Sequence, residues 1–199
     1  MLQRPASGGG CAPTHPQPSF ETFVVTRSTA DALAPCRRGI DGISERTTLC
    51  LLHGPSGSGK THLLRAATAE ARRRGCRVRE RTADELREWL VECIRRESKL
   101  LPASSYLRDI EFLVVDDLQL LASHPASQDA IAGVFRRAVA RSAAVLAASC
   151  VAPRALPAFT RAVDREPGYR QISLAPLDGR GAAPRGRFPG GSTRSPALG

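Results

Sequence analysis

The segment GPSGSGKT, from Gly54 to Thr61, constrains the fold of this chain more than any other feature. It fits the pattern G-x-x-x-x-G-K-[S/T], which requires a strand before it and a helix after it. Both flanks fit, because TLCLLHG at 48–54 is a short apolar run and KTHLLRAATAEARRR is an alanine-rich helical sequence that Gly75 can close. This context favours a nucleotide-binding loop. The alternative is a glycine-rich turn that binds no ligand.

The residue types of this loop match the chemistry of a polyphosphate. Glycines allow a tight turn that points backbone N–H groups at phosphate oxygens, and the following helix adds the positive potential of its N-terminus. Lys60 can reach the β- and γ-phosphates, and the hydroxyl of Thr61 can ligate Mg²⁺. The predicted nucleotide contacts are Gly54, Pro55, Ser56, Gly57, Ser58, Gly59, Lys60, Thr61 and His62.

In the stretch FLVVDDLQLL at 112–121, an apolar run leads directly into two adjacent carboxylates, Asp116 and Asp117. Burying like charges together is costly, so a cation is expected nearby. We predict that Asp116 holds Mg²⁺ through water opposite Thr61, and that Lys60 and the metal offset the charge. Side chains alternate along a strand, so Asp117 should point differently and polarise an attacking water. The alternative is a pair of aspartates that caps a turn.

The rest of the chain alternates strands and amphipathic helices, which predicts an α/β sandwich around a mostly parallel sheet. Further strands are expected at 76–82, 143–149 and 170–174. Thr82 and Glu85 form a T-x-x-E capping box, and Ser127 can cap a later helix. Two helical stripes are expected to face the core: Leu86, Trp89, Leu90, Cys93 and Ile94, and then Ile131, Val134, Phe135, Ala138 and Val139.

Composition limits the cellular setting and the partners. The formal charge of +10 favours acidic partners such as nucleic acid, but the arginines are scattered and an arginine-rich coding bias explains them equally well. Six cysteines show no metal-ligand spacing, and no apolar run reaches the length of a membrane span. We therefore expect a cytoplasmic protein with a flexible segment at 1–18, one domain at 19–176 and a disordered Gly/Pro/Arg-rich tail at 177–199.

Four stretches together resemble a known family, the AAA+ domain of the bacterial replication initiator DnaA and of shorter relatives such as Hda. They are SFETFVV at 19–25, LLHGPSGSGKTHLL at 51–64, VVDDLQLLA at 114–122 and SQDAIAGVF at 127–135. The resemblance implies a three-layer P-loop sandwich with a five-stranded parallel sheet in the order 5-1-4-3-2. It also implies ATP and Mg²⁺ as ligands, DnaA-like subunits or other replication proteins as partners, and a role in replication initiation or its regulation. It places adenine near Phe23, Val24 and Val25, and leaves Ser149 as the polar residue beside the sensor position.

The chain departs from the family pattern at several positions. Cys150 stands where the family has a sensor aspartate, and Ala126 stands near the position of a basic residue that helps the initiator hold single-stranded DNA. The family's arginine finger has only loose candidates in Arg161, Arg165 and Arg170. The patterns of the helical lid and of the helix-turn-helix domain do not follow ISLAPLDGR at 172–180. These departures predict ATP binding with slow hydrolysis, because preorganised charge around the γ-phosphate supplies most of the catalysis.

Two other functions remain open from the sequence. Helper ATPases of the helicase-loader or transposition type also carry G-K-T-H-L, although D-D-L-Q differs from their D-E. A truncated, non-catalytic remnant would also match the family and then end in Gly/Pro/Arg-rich sequence. Any DNA contact would be salt-sensitive and without sequence preference, through Arg95, Arg96, Arg136, Arg137 and the tail arginines.

Overall fold

The structure is a computed structural model, and it describes residues 49–97 and 106–176. Its described part contains a five-stranded sheet in the order β2-β3-β4-β1-β5, in which every neighbouring pair is parallel. Read from the other edge, this is the order 5-1-4-3-2, so the predicted fold is confirmed. The expectations for Phe23, Val24 and Val25 and for the two terminal segments lie outside the described residues.

Strands and helices alternate along the chain, as predicted. The strands are β1 Leu49–His53, β2 Val78–Thr82, β3 Phe112–Asp116, β4 Ala144–Ser149 and β5 Tyr169–Ser173. The helices are α1 Lys60–Arg73, α2 Ala83–Glu97, α3 Pro125–Ala140 and α4 Pro157–Val163, with single 3₁₀ turns at Leu118–Leu121 and Pro153–Ala155. No helix in these ranges is both long enough and apolar enough to span a bilayer.

The three central strands are almost entirely buried, and the two edge strands are mixed in polarity. This pattern follows from layers on both faces of a parallel sheet, which make the central strands near-continuous apolar runs. One face packs on α1 and the other face packs on α2, α3 and α4. The first core cluster includes Leu52, Leu63, Ala67, Val114 and Leu146, and the second includes Leu51, Leu86, Val115, Phe135 and Phe159.

Local capping signals set the ends of the first two helices. After α1, the N–H of Gly75 donates to Arg72 O and that of Cys76 donates to Ala71 O, with Gly75 at φ 81°. This pair of bonds closes the helix as its glycine predicted. At the start of α2, Thr82 N donates to Glu85 Oε2 at 2.8 Å and Glu85 N donates to Thr82 Oγ1 at 3.2 Å. The predicted capping box is therefore confirmed.

Two expectations about helices are wrong. Ser127 does not cap α3, because the helix begins at Pro125, where the fixed φ of proline suits the first helical position. Ile94 is 49 % exposed, so the stripe of α2 does not lie wholly in the core. The buried positions of that stripe are Leu86 and Leu90, and the contact with the core fades towards the end of the helix.

Candidate nucleotide site

The loop between β1 and α1 lies at the carboxyl edge of the sheet, beside the ends of β4 and β5. The N–H of Gly54 donates to Ser149 O at 3.2 Å, and the N–H of Leu174 donates to His53 O at 2.7 Å. A Cβ atom built on Gly54 would lie 2.1 Å from the backbone oxygen of Leu174. The close approach of this segment of backbone therefore requires glycine at the first position of the motif.

The end of the loop leads directly into α1. Gly59 precedes the helix at φ 87°, a left-handed conformation that costs a residue with a Cβ about 1–2 kcal/mol. The first helical bond follows, from Leu63 N to Gly59 O at 2.9 Å. Pro55, Ser56 and Gly57 are exposed at the crest of the loop. The loop thus presents exposed backbone next to the N-terminus of a 14-residue helix, an arrangement suited to anions.

Lys60 turns back under this loop. It is only 8 % exposed, and its Nζ donates to Gly54 O and Pro55 O, both at 2.7 Å, and to Ser58 Oγ at 3.1 Å. Burial lowers the pKa of Lys60 from its usual value, and interactions with Cys150, Asp116 and Asp117 act in the opposite direction. The loop carbonyls offer the Lys60 ammonium only partial negative charge, whereas a phosphate group would offer it a full negative charge.

The charge of Lys60 also acts on the residue that precedes the motif. The pKa of His53 is lowered, first by burial and then by the nearby charge of Lys60. A lowered pKa favours the neutral form of His53, and within Gly54–Thr61, Lys60 is the side chain that offers a positive charge to a phosphate. His62, in the first turn of α1, is half-buried.

Asp116 is held between the loop and its own strand end. Its Oδ2 accepts a hydrogen bond from Thr61 Oγ1 at 2.7 Å, and its Oδ1 accepts one from Asp117 N at 2.8 Å. A hydroxyl and a carboxylate are hard oxygen ligands, which Mg²⁺ prefers, and Mg²⁺ commonly takes one or two protein oxygens beside waters and phosphates. Within 49–97 and 106–176, no group of three or more His, Cys, Asp or Glu side chains could hold a metal. The ligand chemistry of Thr61 and Asp116 fits a magnesium ion that completes its shell with water and nucleotide oxygens.

Asp117 takes different partners from Asp116, but β3 ends at Asp116, so the turn and not the expected alternation along the strand sets its direction. Its backbone is left-handed, with φ 60°, and it begins the 3₁₀ turn Leu118–Leu121. Its Oδ1 accepts a hydrogen bond from Gln119 Nε2 at 2.7 Å. The other end of the same amide, Gln119 Oε1, accepts a bond from Cys150 N at 2.9 Å.

The end of β4 contributes backbone groups to the site. Ser149 is 1 % exposed, and its hydroxyl accepts a bond from Val151 N at 3.2 Å, so its carbonyl is the group that meets the loop. Whether its hydroxyl contacts a nucleotide stays a prediction. Cys150 follows as an exposed free thiol. The sensor position thus offers a thiol at the place where the family usually has a carboxylate.

The arginines considered as fingers lie outside this cluster. Arg161 on α4 and Arg165 after it are exposed, and Arg170 on β5 is exposed and donates to the carbonyl of its neighbour Tyr169 at 2.9 Å. Ala126 is exposed in the first turn of α3. These residues face outward from the domain, where a second molecule could meet them.

Two glutamines have roles that the sequence reading missed. Gln119 joins the ends of β3 and β4, as described above. Gln128 is fully buried; its Nε2 donates to Leu121 O and Ala122 O, and its Oε1 accepts from Ala158 N and Phe159 N. Both residues lie within the family-like stretches D-D-L-Q and S-Q-D. The sequence signal that could have identified them is a polar residue next to apolar core positions.

Comparison with known proteins agrees with this geometry. A family model described as the bacterial DnaA ATPase domain matches residues 15–166. The chromosomal replication initiator protein DnaA of Aquifex aeolicus is 27 % identical over 114 residues, which cover 57 % of this chain and 28 % of that protein. The chain thus spans less than a third of the length of the curated relatives that it matches.

Solved structures of DnaA proteins share the fold of this chain. The AMPPCP-bound DnaA from Aquifex aeolicus matches with a TM-score of 0.68 and 25 % identity, over 82 % of this chain and 51 % of that one. Domain III of the Thermotoga maritima replication initiation protein DnaA matches with a TM-score of 0.70 and 25 % identity, over 84 % of this chain and 70 % of that one. Since the family match spans well over half of the 199 residues, and the fold and loop agree with it, the chain belongs to the family of bacterial DnaA ATPase domains.

Proposed function

We propose that this protein binds ATP with Mg²⁺ and acts, through protein contacts, in bacterial chromosome replication initiation or its regulation. One observation carries the nucleotide part of this proposal. Lys60 is buried under the glycine-rich loop, and the next residue, Thr61, donates from its exposed hydroxyl to Asp116 Oδ2 at 2.7 Å. The membership of the DnaA family supports the replication part.

The phosphates of ATP would lie along the exposed crest of the loop. The backbone N–H groups there and the N-terminus of α1 favour negative charge. Lys60 would exchange some of its bonds to Gly54 O and Pro55 O for bonds to phosphate oxygens. This exchange suits a buried ammonium, because a charged acceptor gives a stronger hydrogen bond than a carbonyl.

The magnesium ion would be held by Thr61 and Asp116, which already lie within hydrogen-bonding distance of each other. When bound, the ion supplies positive charge that neutralises the polyphosphate. Asp117 would polarise the attacking water, since its carboxylate lies at the same edge of the sheet but does not bond Thr61.

We further propose that hydrolysis is slow. Cys150 offers no carboxylate at the sensor position, and the exposed Arg161, Arg165 and Arg170 match the family's arginine finger only loosely. Removing several preorganised charges from a phosphoryl-transfer site costs orders of magnitude in rate. A steady-state assay should give turnover well below about 1 s⁻¹, the lower end of typical enzyme rates. Turnover at or above that rate would contradict this part of the proposal.

The partners that fit this site are further DnaA-like subunits or other replication proteins, which could add an arginine at the γ-phosphate. A non-specific DNA contact is also consistent with exposed Arg95, Arg136 and Arg137. We propose a cytoplasmic location, where the thiols of Cys50, Cys76 and Cys150 would remain reduced. A helicase-loader role remains the alternative, and the D-D-L-Q sequence favours the DnaA-like one.

The test is a titration of the protein with a fluorescent ATP analogue and Mg²⁺, beside Lys60→Ala. We expect saturable binding that weakens at least about tenfold in the variant, because a charge-assisted hydrogen bond to phosphate is lost. Arg65→Ala is the matched control, since Arg65 is an exposed cation on the same helix. Equal affinity in the Lys60 and Arg65 variants, or no saturable binding in the unsubstituted protein, would refute the proposal.

A further inference from the structure

The side chain of Gln119 bridges the carboxyl ends of two neighbouring strands at the site. Its Nε2 donates to Asp117 Oδ1 at 2.7 Å, and its Oε1 accepts from Cys150 N at 2.9 Å, across 31 positions of sequence. The short 3₁₀ turn that carries it is fixed by Leu118 and Leu121, which are 0 % and 1 % exposed. The amide is therefore anchored at its backbone and at both ends of its side chain.

Few side chains could replace this one. A primary amide can donate to a carboxylate and at the same time accept from a backbone N–H. A glutamate would keep the acceptor but set a second negative charge against Asp117, and a lysine would keep only the donor. Both the Nε2 donor and the Oε1 acceptor of the Gln119 amide therefore form a hydrogen bond.

The bridge has a direction relative to the loop. The sheet order places β4 between β3 and β1, and the phosphate loop follows β1. A bond that ties Asp117, at the end of β3, to Cys150, at the end of β4, draws the carboxylate towards the loop rather than towards the β2 edge. Asp117, whose backbone is left-handed with φ 60°, is thus held through its carboxylate as well as through its turn.

We propose that Gln119 is a positioning residue that holds the Asp117 carboxylate in place for attack of water on bound ATP. In that step the water oxygen forms a bond to the γ-phosphorus, and the bond from that phosphorus to the β,γ-bridging oxygen breaks. The electrons of the broken bond leave with ADP, and the proton of the water passes to the Asp117 carboxylate. Gln119 itself touches neither water nor nucleotide. This inference rests on the proposed ATP-binding function.

The same bridge makes the position of the water-polarising group depend on the end of β4. Cys150 contributes its backbone N–H, so this contact does not require the side chain that the family usually places there. The sensor strand can thus still act on the reaction through its backbone. This contact would let a site with Cys150 retain some hydrolysis.

The experiment compares Gln119→Leu and Gln119→Glu with the unsubstituted protein, each alone and combined with Asp117→Asn. The readouts are the single-turnover rate of ATP hydrolysis, the nucleotide dissociation constant, and the hydrogen exchange of the Cys150 amide. Thermal unfolding checks that each variant is folded. Nucleotide binding by the unsubstituted protein is measured first.

We expect Gln119→Leu to slow hydrolysis by about ten- to a hundredfold, because small misplacements of a reacting group have effects of this size. Nucleotide affinity should stay within about twofold, since Lys60, Thr61 and Asp116 are untouched, and the Cys150 amide should exchange about fivefold faster for the loss of one hydrogen bond. Gln119→Glu should slow hydrolysis to a similar degree but protect the Cys150 amide, because it keeps the acceptor. In the Asp117→Asn background, Gln119→Leu should change the rate by less than about twofold, since the two residues act as a unit.

The inference is overturned if Gln119→Leu leaves the rate unchanged, or if it slows the Asp117→Asn protein by the same factor as the unsubstituted one. Absence of measurable hydrolysis in a protein that binds ATP would also overturn it, while the proposed nucleotide binding would stand. Absence of saturable binding in the unsubstituted protein would instead remove the proposed function, and this inference with it.

Discussion

The site has two halves that are held together by different means. The phosphate half consists of Gly54–Thr61 and Asp116, and its cation, hydroxyl and loop carbonyls come from eight consecutive residues. The sensor half consists of Asp117, Gln119, Ser149 and Cys150, and the bond from Cys150 N to Gln119 Oε1, which spans 31 positions, joins its two segments. Lys60 in the phosphate half is thus held by bonds that span at most six positions, while the Thr61–Asp116 bond, which spans 55 positions, and the bridge of the sensor half both depend on where the end of β3 lies.

The largest effect is expected at the point where the two halves meet. Gly54 donates to Ser149 O and leaves no room for a Cβ, which would lie 2.1 Å from Leu174 O. Gly54→Ala should therefore cost about 3 kcal/mol of unfolding free energy, at the upper end for an overpacked site, since the contact is with backbone. Urea denaturation measures this cost.

Gly133→Ala is the matched control for that variant. Gly133 lies inside α3 at a negative φ with nothing within 4 Å of a built Cβ. The substitution should raise the unfolding free energy by about 0.4–1 kcal/mol, because alanine loses less entropy in a helix than glycine. If both variants lose stability equally, the close approach at Gly54 is not the cause.

The second effect separates the two aspartates. Asp116→Asn should weaken Mg²⁺-dependent ATP affinity by about 10–100-fold, the range seen when an outer-sphere metal partner is removed. Asp117→Asn should leave that affinity within about twofold and reduce only hydrolysis. Titrations with and without Mg²⁺ measure the first, and single-turnover kinetics measure the second. Equal losses of ATP affinity in Asp116→Asn and Asp117→Asn would mean that the phosphate half does not bind the nucleotide separately from the residues that promote hydrolysis.

The smallest effect is expected on α1, remote from both halves. Glu70 accepts hydrogen bonds from Arg73 at 2.7 and 2.8 Å and from Arg74 at 2.7 Å, and these bonds lower the pKa of Glu70 to about 2. A depressed carboxyl pKa adds stability above the unfolded value of about 4.3, and this stability disappears as the pH falls towards 2. Glu70→Gln should therefore cost about 0.5–1 kcal/mol at pH 7 and clearly less near pH 2.5, where most of the interval between the unfolded and the folded pKa has been crossed.

Denaturation at several pH values checks this prediction, with Glu88→Gln as the control because Glu88 is an exposed glutamate on α2. A loss that stays constant from pH 7 to pH 2.5 would mean that the charge of Glu70 is not its source. Nucleotide affinity should be the same in both variants.

The two halves also differ in how far the sequence predicted them. The phosphate loop and the alternation of strands and helices follow from local patterns, since the motif and the apolar runs each act over a few residues, whereas the strand order came from the resemblance to the family. The bridge of Gln119 and the burial of Gln128 were missed, because a glutamine beside a core position has no local signature of its distant partner. The predictions that Ser127 caps α3 and that Ile94 lies in the core were wrong. Helix α3 already begins at Pro125, two residues before Ser127, and the last turns of α2 extend beyond the core.

The central claim is that the phosphate half forms a magnesium-dependent nucleotide site. The most direct measurement is a calorimetric titration of the unsubstituted protein with ATP, once with Mg²⁺ and once with a chelator. The arrangement of Lys60, Thr61 and Asp116 predicts one saturable site per chain that binds at least about tenfold tighter with the metal present. Saturable binding that ignores Mg²⁺, or no binding under either condition, would contradict it.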